Sequence, residues 1–229
     1  MSSANLEVIF EGPAVNAGTI DAQLLADSLS GHSEVFTRVN ALLNGTESKA
    51  AVLVQSDFKR GSFVAGLEFV QSFVEEAQRL LATHPGLDAS GLVGIIGFVW
   101  KKREIVESLL DLYKRLKGEK PKDAKKIDGN NVELTLRDGN KVVVNNNVFH
   151  LHNDPVIVKG FERLTTPLRR AEIDRIIVKH AATEQVVIEK SEAEYFEAAR
   201  FQLEAENETE GQQETILIVS KVSFVEGTT

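Results

Sequence analysis

Two neighbouring runs in the first third of the chain alternate between two faces, as half-buried β-strands do. From Val52 onward the even-numbered positions share one face, and after a short glycine-containing turn Phe63, Leu67 and Phe69 share another. Two period-two runs about such a turn are typical of an antiparallel hairpin. Residues 49–70 are therefore predicted to form a hairpin whose phenylalanines lie in the core.

A longer run with helical periodicity lies beyond this hairpin. Apolar residues recur three or four positions apart from Leu92 to Leu116, which predicts one central helix over residues 87–117. The part before Lys101 is apolar on every side, whereas the later part has a charged side. A helix that is apolar all round needs neighbours on every side, so several packing partners are expected.

Regularly spaced glycines in the apolar half of this helix indicate close contact with another element. A glycine inside a helix costs roughly 1 kcal/mol relative to alanine, and close backbone approach would compensate for it. We therefore expect the central helix to carry the main contact between copies of the chain. The residues predicted for self-association are Gly91, Gly94, Ile95, Gly97, Phe98 and Trp100. Two alternatives stay open: burial within one copy, or contact of residues 91–100 with a membrane interface, with Trp100 at the level of the headgroups.

The other elements alternate between the two types. Strands are predicted at residues 6–10, 132–136, 141–144, 148–151, 173–178, 186–188 and 216–224, and helices at 19–43, 71–83, 154–166 and 191–199. Asp21 or Thr19 can cap the first helix, and Ser30-Gly31-His32 could divide it in two. Hairpin turns are expected where an aspartate precedes a glycine, at Asp128-Gly129 and Asp138-Gly139.

These elements indicate an α+β fold with two lobes. The first lobe, residues 1–117, contains a strand, a helix, the hairpin and the central helix. A polar, lysine-rich linker over residues 118–126 is the predicted boundary, and residues 127–229 form a smaller lobe that is mostly β.

Composition narrows the class of protein. The chain of 229 residues is long enough to bury a core, and it contains no cysteine, which excludes disulfides, thiolate catalysis and cysteine-ligated zinc. The first residues lack the basic-then-apolar pattern of a signal peptide, and residues 91–100 are about half as long as the ~20 residues of a membrane-spanning helix. A cytoplasmic protein is therefore expected.

The charge is acidic in total but divided along the chain. The formal net charge of -8 makes nucleic acid an unfavoured partner. Residues 101–126 hold ten Lys and Arg against five Asp and Glu, whereas residues 184–214 hold ten Glu against two basic residues. Solvated faces and linkers would explain this division, and so would a head-to-tail contact between copies.

The order of these motifs resembles a family of uncharacterised bacterial proteins that are common on prophages and other mobile elements. The resemblance rests on a helix ending in LLNG, the hairpin sequence KRGSFVAGLEFVQ, the apolar segment GLVGIIGF and the Asn-rich β stretch KVVVNNNVFHLHNDP. It covers most of the chain and implies no established activity and no catalytic residues. Members of that family continue with further strands beyond the position of Thr229, so the resemblance implies either a truncated chain or a short member.

Two groups of residues are weak candidates for chemistry. His150 and His152 would share one face if residues 148–151 were a strand, and with Asp154 they could hold a metal for hydrolysis, although Asp154 is also a helix cap. Residues 59–62, Lys-Arg-Gly-Ser, could hold an anion but lack the glycines of a P-loop. A polar strand surface and an ordinary hairpin turn explain the two groups without chemistry. No metal and no cofactor is predicted.

The sequence thus favours a non-enzymatic, self-associating protein that forms a homo-oligomer and acts in phage–host conflict or its regulation, with another protein as a further candidate partner. The first alternative is a membrane-active effector that uses residues 91–100. The second alternative is a metal-dependent hydrolase at His150 and His152.

Overall fold

A computed structural model describes residues 2–16, 18–45, 48–55, 63–73, 92–100, 107–170, 172–179, 185–197 and 199. The strands are β1 (Ser2–Glu11), β2 (Ser48–Gln55), β3 (Phe63–Phe73), β4 (Asp123–Lys126), β5 (Asn131–Thr135), β6 (Lys141–Asn145), β7 (Arg175–Lys179) and β8 (Gln185–Glu189). The helices are α1 (Pro13–Asn16), α2 (Ala22–Asn44), α3 (Leu92–Val99), α4 (Leu109–Leu116), α5 (Asn146–His152), α6 (Pro155–Leu164) and α7 (Thr166–Arg170). The predicted α+β class is confirmed.

The larger sheet has five antiparallel strands in the order β2-β3-β1-β7-β8. Its central strand β1 pairs with β3 along most of its length and with β7 from Glu7 to Glu11. The predicted hairpin is confirmed, because β2 and β3 pair antiparallel with Val52 opposite Phe69. Leu67 and Phe69 are buried as expected, whereas Phe63 is only half-buried. The helix predicted from residue 71 is wrong at its start, since β3 runs to Phe73, and residues 74–83 lie outside the described residues.

The main core lies between one face of this sheet and a layer of helices. Leu6, Val8 and Phe10 alternate along β1 toward that layer, and all three are buried. They belong to one cluster with Phe36 of α2 and Phe161 of α6. Because successive strand residues point to opposite faces, this period-two pattern buries one side of β1 against the helices.

Helix α2 is continuous from Ala22 to Asn44. The Asp21 carboxylate caps it by accepting hydrogen bonds from the amides of Gln23 and Leu24, at 2.9 and 3.0 Å, and Gly45 ends it with a φ of 78°. The expected break at Ser30-Gly31-His32 does not occur. Gly31 lies inside the helix because its missing side chain admits the backbone of α6.

The predicted central helix is two shorter helices, so the single helix over residues 87–117 is wrong. Helix α3 ends at Val99, and Ser108 has extended backbone angles, with ψ at 169°. The Ser108 hydroxyl accepts a hydrogen bond from the amide of Asp111 at 3.1 Å, and the Asp111 carboxylate accepts one from the amide of Ser108 at 3.3 Å. This capping box begins α4 and overrides the apolar periodicity.

The smaller sheet has three antiparallel strands in the order β4-β5-β6. Both predicted Asp-Gly turns connect its strands, and the structure places β4 inside the segment predicted as a linker. Its inner face packs on Leu112 and Leu116 of α4, so this second cluster includes residues from both predicted lobes. Strands β7 and β8 join the sheet of β1, so the larger sheet also contains strands from both predicted lobes.

The Asn-rich stretch after β6 forms a helix, where a strand was predicted over residues 148–151. The Asn145 side chain accepts a hydrogen bond from the amide of Asn147 at 2.9 Å and so caps α5. Asparagine is among the strongest N-cap residues, which explains why the chain turns from strand to helix at this point.

The last described segment confirms a helix near residues 191–199 in part, since residues 193–197 are helical. A capping box joins Glu189 and Glu192 at the 3₁₀ turn Lys190–Glu192, directly before this helix. The predicted strand at 216–224 lies outside the described residues.

Candidate functional site

Three of the residues predicted for self-association, Ile95, Gly97 and Trp100, are buried inside the protein. Ile95 and Trp100 are 1% and 0% exposed, and Gly97 is buried as well. These residues are covered by other parts of the same chain, so a second copy cannot reach Ile95, Gly97 or Trp100 in this conformation. Gly91 lies outside the described residues, as do the surroundings of Gly94 and the side chain of Phe98.

Trp100 is instead part of an aromatic cluster that closes the core. Its ring lies 5.6 Å from the His32 ring and 5.8 Å from the Phe161 ring, and Tyr113 lies 4.8 Å from Phe161. Trp100 and Tyr113 are both buried. The cluster therefore joins α2, α4 and α6 behind the sheet.

Three polar atoms in this cluster have no hydrogen-bond partner among the described residues: Nε2 of His32, Nε1 of Trp100 and the hydroxyl of Tyr113. The other ring nitrogen of His32 is 2.8 Å from the carbonyl oxygen of Ser28. Burial lowers the pKa of His32 to about 4 and raises the pKa of Tyr113 above its usual range. Both side chains are therefore neutral at physiological pH.

The predicted histidine pair does not assemble a metal site. Residues two apart on a helix point in different directions, and in α5 His150 is exposed while the His152 ring lies 4.8 Å from the ring of Tyr113. Burial of His152 lowers its pKa to about 4. Within the described ranges, no group of three His, Asp or Glu side chains is placed to hold a metal ion.

Asp154, the third member of that predicted set, has a structural role. One of its oxygens accepts hydrogen bonds from the amides of Val156 and Ile157 at the start of α6, at 3.0 and 3.2 Å. Its other oxygen accepts two from the Arg38 guanidinium, at 2.9 and 2.8 Å. Asp154 therefore ties α2 to the first turn of α6.

Two surface clefts contain charged side chains. The larger cleft has a volume of about 550 Å³ and lies beside Glu11, Asp174 and Glu189. Arg175 also lines it, and the Arg175 Nε donates a hydrogen bond to the Glu11 carboxylate at 2.6 Å. The smaller, about 240 Å³, lies at the end of α4 beside Lys117. The described linings of the two clefts contain no serine, threonine or histidine, so neither pairs a hydroxyl nucleophile with an imidazole base.

The strand β2 presents a different kind of site. It is the outermost described strand of the larger sheet, next to β3, and residues 50–55 contain no charged side chain. Leu53 and Val54 are 51% and 49% exposed. Val54 lies opposite the buried Leu67 and so faces the helix layer, whereas Leu53 lies opposite Glu68 on the other face. Apolar side chains are thus exposed on both faces of an edge whose outer backbone groups have no strand beside them among the described residues.

Two of the other described edge strands, β4 and β8, are protected. On β8, the Lys114 ammonium donates a hydrogen bond to the carbonyl oxygen of Val187 at 2.6 Å and also pairs with Glu192 at 2.7 Å. Strand β4 exposes three charged side chains along its four residues, whereas β6, like β2, has a single charged side chain near its start, Lys141. Charges on an edge strand oppose pairing with another chain. Strand β2 lacks this protection beyond Lys49.

A buried polar network holds β2 in place. The Asn40 side chain of α2 donates to the carbonyl oxygen of Ser48 at 2.8 Å and accepts from the Ser48 hydroxyl at 3.1 Å. Gln71 of β3 donates to the same Asn40 oxygen at 2.7 Å. The start of β2 is thereby attached to both its helix and its neighbouring strand, so its edge is presented in a defined position.

Sequence reasoning found the β2–β3 hairpin but missed β2 as the exposed element. The uncharged stretch at 50–55 is visible in the sequence, but it is equally typical of a central strand. Whether β2 is outermost depends on the strand order, in which β1 and β7 occupy the other side of β3.

The chain matches no protein-family model, no curated protein and no solved structure. In the described part of the chain, no helix combines the length and the apolar character needed to cross a membrane. The geometry of the chain itself is therefore the basis for a functional proposal.

Proposed function

We propose that this is a non-enzymatic protein that acts by self-association, and that β2 is the element through which copies meet. The observation that carries the proposal is the exposure of Leu53 and Val54 on an edge strand without charge at residues 50–55. Unpaired strand edges bind further strands through main-chain hydrogen bonds, and adjacent apolar side chains add buried area. A second copy offers the same edge, which makes a symmetric homo-oligomer the simplest partner.

The contact differs from the one expected from the sequence. The central helix was to supply the interface, but its side chains at Ile95 and Trp100 are buried in the core. The proposal retains self-association and moves it to the sheet edge. A role in phage–host conflict or its regulation is part of the proposal, and it is supported by the resemblance to proteins of prophages and mobile elements alone.

The experiment is to measure the mass in solution by light scattering from low to high micromolar concentration. We expect the wild-type protein to be an oligomer and the double variant Leu53→Lys plus Val54→Lys to be a monomer, because two ammonium groups would lose hydration in the interface. A matched control is Val156→Lys, which places a lysine at a 44% exposed valine on α6, away from β2. The control should keep the wild-type mass and circular dichroism spectrum.

Two results would contradict the proposal. One is a wild-type chain that is monomeric throughout the concentration range. The other is a folded double variant that keeps the oligomeric mass, because it would show that copies meet elsewhere.

A further inference from the structure

We infer that two copies pair through their β2 strands in antiparallel orientation, about a two-fold axis at Val52, so that their two five-stranded sheets continue into one. This inference rests on the proposed function and adds the partner's position residue by residue. It follows from the face pattern of β2, the chemistry of its side chains and the groups that flank its edge.

Symmetry restricts the registers that are available. A two-fold axis perpendicular to a sheet relates two antiparallel edge strands and leaves each side chain on the same face. Residues opposite each other in a sheet also share a face, and faces alternate with every residue. Opposing residue numbers must therefore have an even sum, which places the axis at a residue and excludes a position between two residues.

Chemical matching then selects Val52 among the possible centres. With the axis at Val52, seven of the eight β2 residues lie opposite a described residue. Apolar side chains then lie opposite apolar side chains, and polar ones lie opposite polar ones. The opposing pairs are Lys49 with Gln55, Ala50 with Val54, and Ala51 with Leu53. Each exposed branched side chain meets an alanine, so the large side chains interdigitate with small ones.

The neighbouring registers match less well. An axis at Ala51 also pairs seven residues, but it places the Lys49 ammonium opposite Leu53 and the Ser48 hydroxyl opposite Val54. An axis at Leu53 leaves only residues 51–55 opposite described residues and places Gln55 against Ala51. With the axis at Ala51 the Lys49 ammonium would lose hydration beside Leu53, and the axis at Leu53 pairs only residues 51–55, so both registers are weaker than the one at Val52.

The described groups around the edge of β2 leave it accessible. The Gln55 side chain lies over Gly66. A Cβ atom added to Gly66 would lie 2.8 Å from the side-chain oxygen of Gln55. Its amide nitrogen donates to Asn5 at 3.2 Å, so it reaches inward across the sheet and away from the edge. The Asn40 network lies at the Ser48 end of the strand and does not cover Val52.

The absence of cysteine from the chain allows a direct test. Opposing Cα atoms in an antiparallel pair are about 4.5 or 5.5 Å apart, within the ~4.4–6.8 Å that a disulfide spans. Val52→Cys should therefore form a covalent dimer under mild oxidation, seen on a non-reducing gel. Ala51→Cys should not do so by itself, but mixed with Leu53→Cys it should give the cross-linked heterodimer. Val143→Cys, on β6 and 39% exposed in the wild-type chain, controls for random collision.

The outcomes separate the register from the function. If the wild-type chain is oligomeric but Ala51→Cys cross-links alone and Val52→Cys does not, the register is overturned and self-association stands. If the wild-type chain is monomeric and no variant cross-links, both fail. Cross-linking of Val143→Cys at the rate of Val52→Cys would also overturn the register. Should Val52→Cys not fold, the mixed pair decides, because it reports on the same axis from exposed positions.

Discussion

Gly31 of α2 and Gly160 of α6 meet where the two helices cross. A Cβ atom on Gly31 would lie 2.5 Å from the carbonyl oxygen of Gly160 and 2.5 Å from the amide nitrogen of Leu164. The Ser28 hydroxyl donates to the Leu164 carbonyl at 2.9 Å beside this contact. The helix layer that supports the sheet therefore depends on backbone contact at this crossing.

Gly31→Ala should destabilise the protein even though alanine is the better helix former. The added methyl group would overlap backbone atoms, which cannot rotate away, and the helices would have to separate. We expect a loss of about 1–3 kcal/mol in the free energy of unfolding, measured by urea denaturation. The control is Gly129→Ala, where a Cβ meets no atom within 4 Å. Equal stability of the two variants would contradict the close packing.

Asp154 should contribute through both its cap and its ion pair. Asp154→Ala removes the acceptor for two amides of α6 and leaves Arg38 without its carboxylate, so a loss of about 2 kcal/mol or more is expected. Asp154→Ser keeps a capping oxygen and loses only the ion pair with Arg38. It should therefore lower the free energy of unfolding by less than Asp154→Ala does. Arg38 is 40% exposed, so Arg38→Ala should have the smallest effect, within about 1 kcal/mol. If Asp154→Ser were as destabilising as Asp154→Ala, the cap would not be the larger contribution.

Acid should destabilise the fold through the two histidines with lowered pKa. His32 and His152 have a pKa of about 4 in the folded chain and about 6.5 when unfolded. Between these values the unfolded state binds protons that the folded state does not. The stability that the fold has when both histidines are buried in the neutral form is fully present above pH 6.5. It is lost as the pH falls to about 4. The loss is of the order of 3 kcal/mol for the fully buried His32 and smaller for His152, which is partly exposed.

Urea titrations at several pH values measure this dependence. His32→Asn keeps a donor for the Ser28 carbonyl and removes one titrating group, so its stability should fall less steeply between pH 6.5 and 4 than that of the wild type. His150→Asn alters an exposed histidine and serves as the control. A slope that is unchanged in His32→Asn would show that His32 does not bind a proton on unfolding.

Asn40 should determine the position of β2. Asn40→Ala removes an acceptor and a donor from buried partners on Ser48 and Gln71, and each buried polar group left without a partner costs about 1–3 kcal/mol. We expect Asn40→Ala to accelerate hydrogen exchange at the backbone amides of β2 relative to the wild type. The amides of β7, which the network does not contact, should be accelerated less. Asn147→Ala, at an exposed position on α5, is the control. Uniform acceleration across both strands would indicate global destabilisation and no specific support of β2.

The sequence by itself determined those elements whose signals are local. Alternating faces are set by backbone pleat, so the β2–β3 hairpin could be read from a few residues. Caps and tight turns depend on one side chain and its nearest amides, so Asp21, the Asp-Gly turns and the start of α6 at Asp154 were also found. Capping residues were also present at Ser108 and Asn145. The apolar periodicity around Ser108 favoured one long helix, and the valines before Asn145 favoured a strand. The break between α3 and α4 and the helix α5 were therefore not predicted.

Only the tertiary structure decided which apolar residues are covered and which strand lies outermost. Residues 91–100 and residues 50–54 are both apolar and uncharged in the sequence, yet Trp100 is buried and Leu53 is half exposed. The difference arises because β1 pairs with β7 across more than 160 positions of chain, which puts β1 and β3 inside the sheet and leaves β2 at its edge. Burial depends on which distant segments come together, and this pairing is not a property of any local stretch.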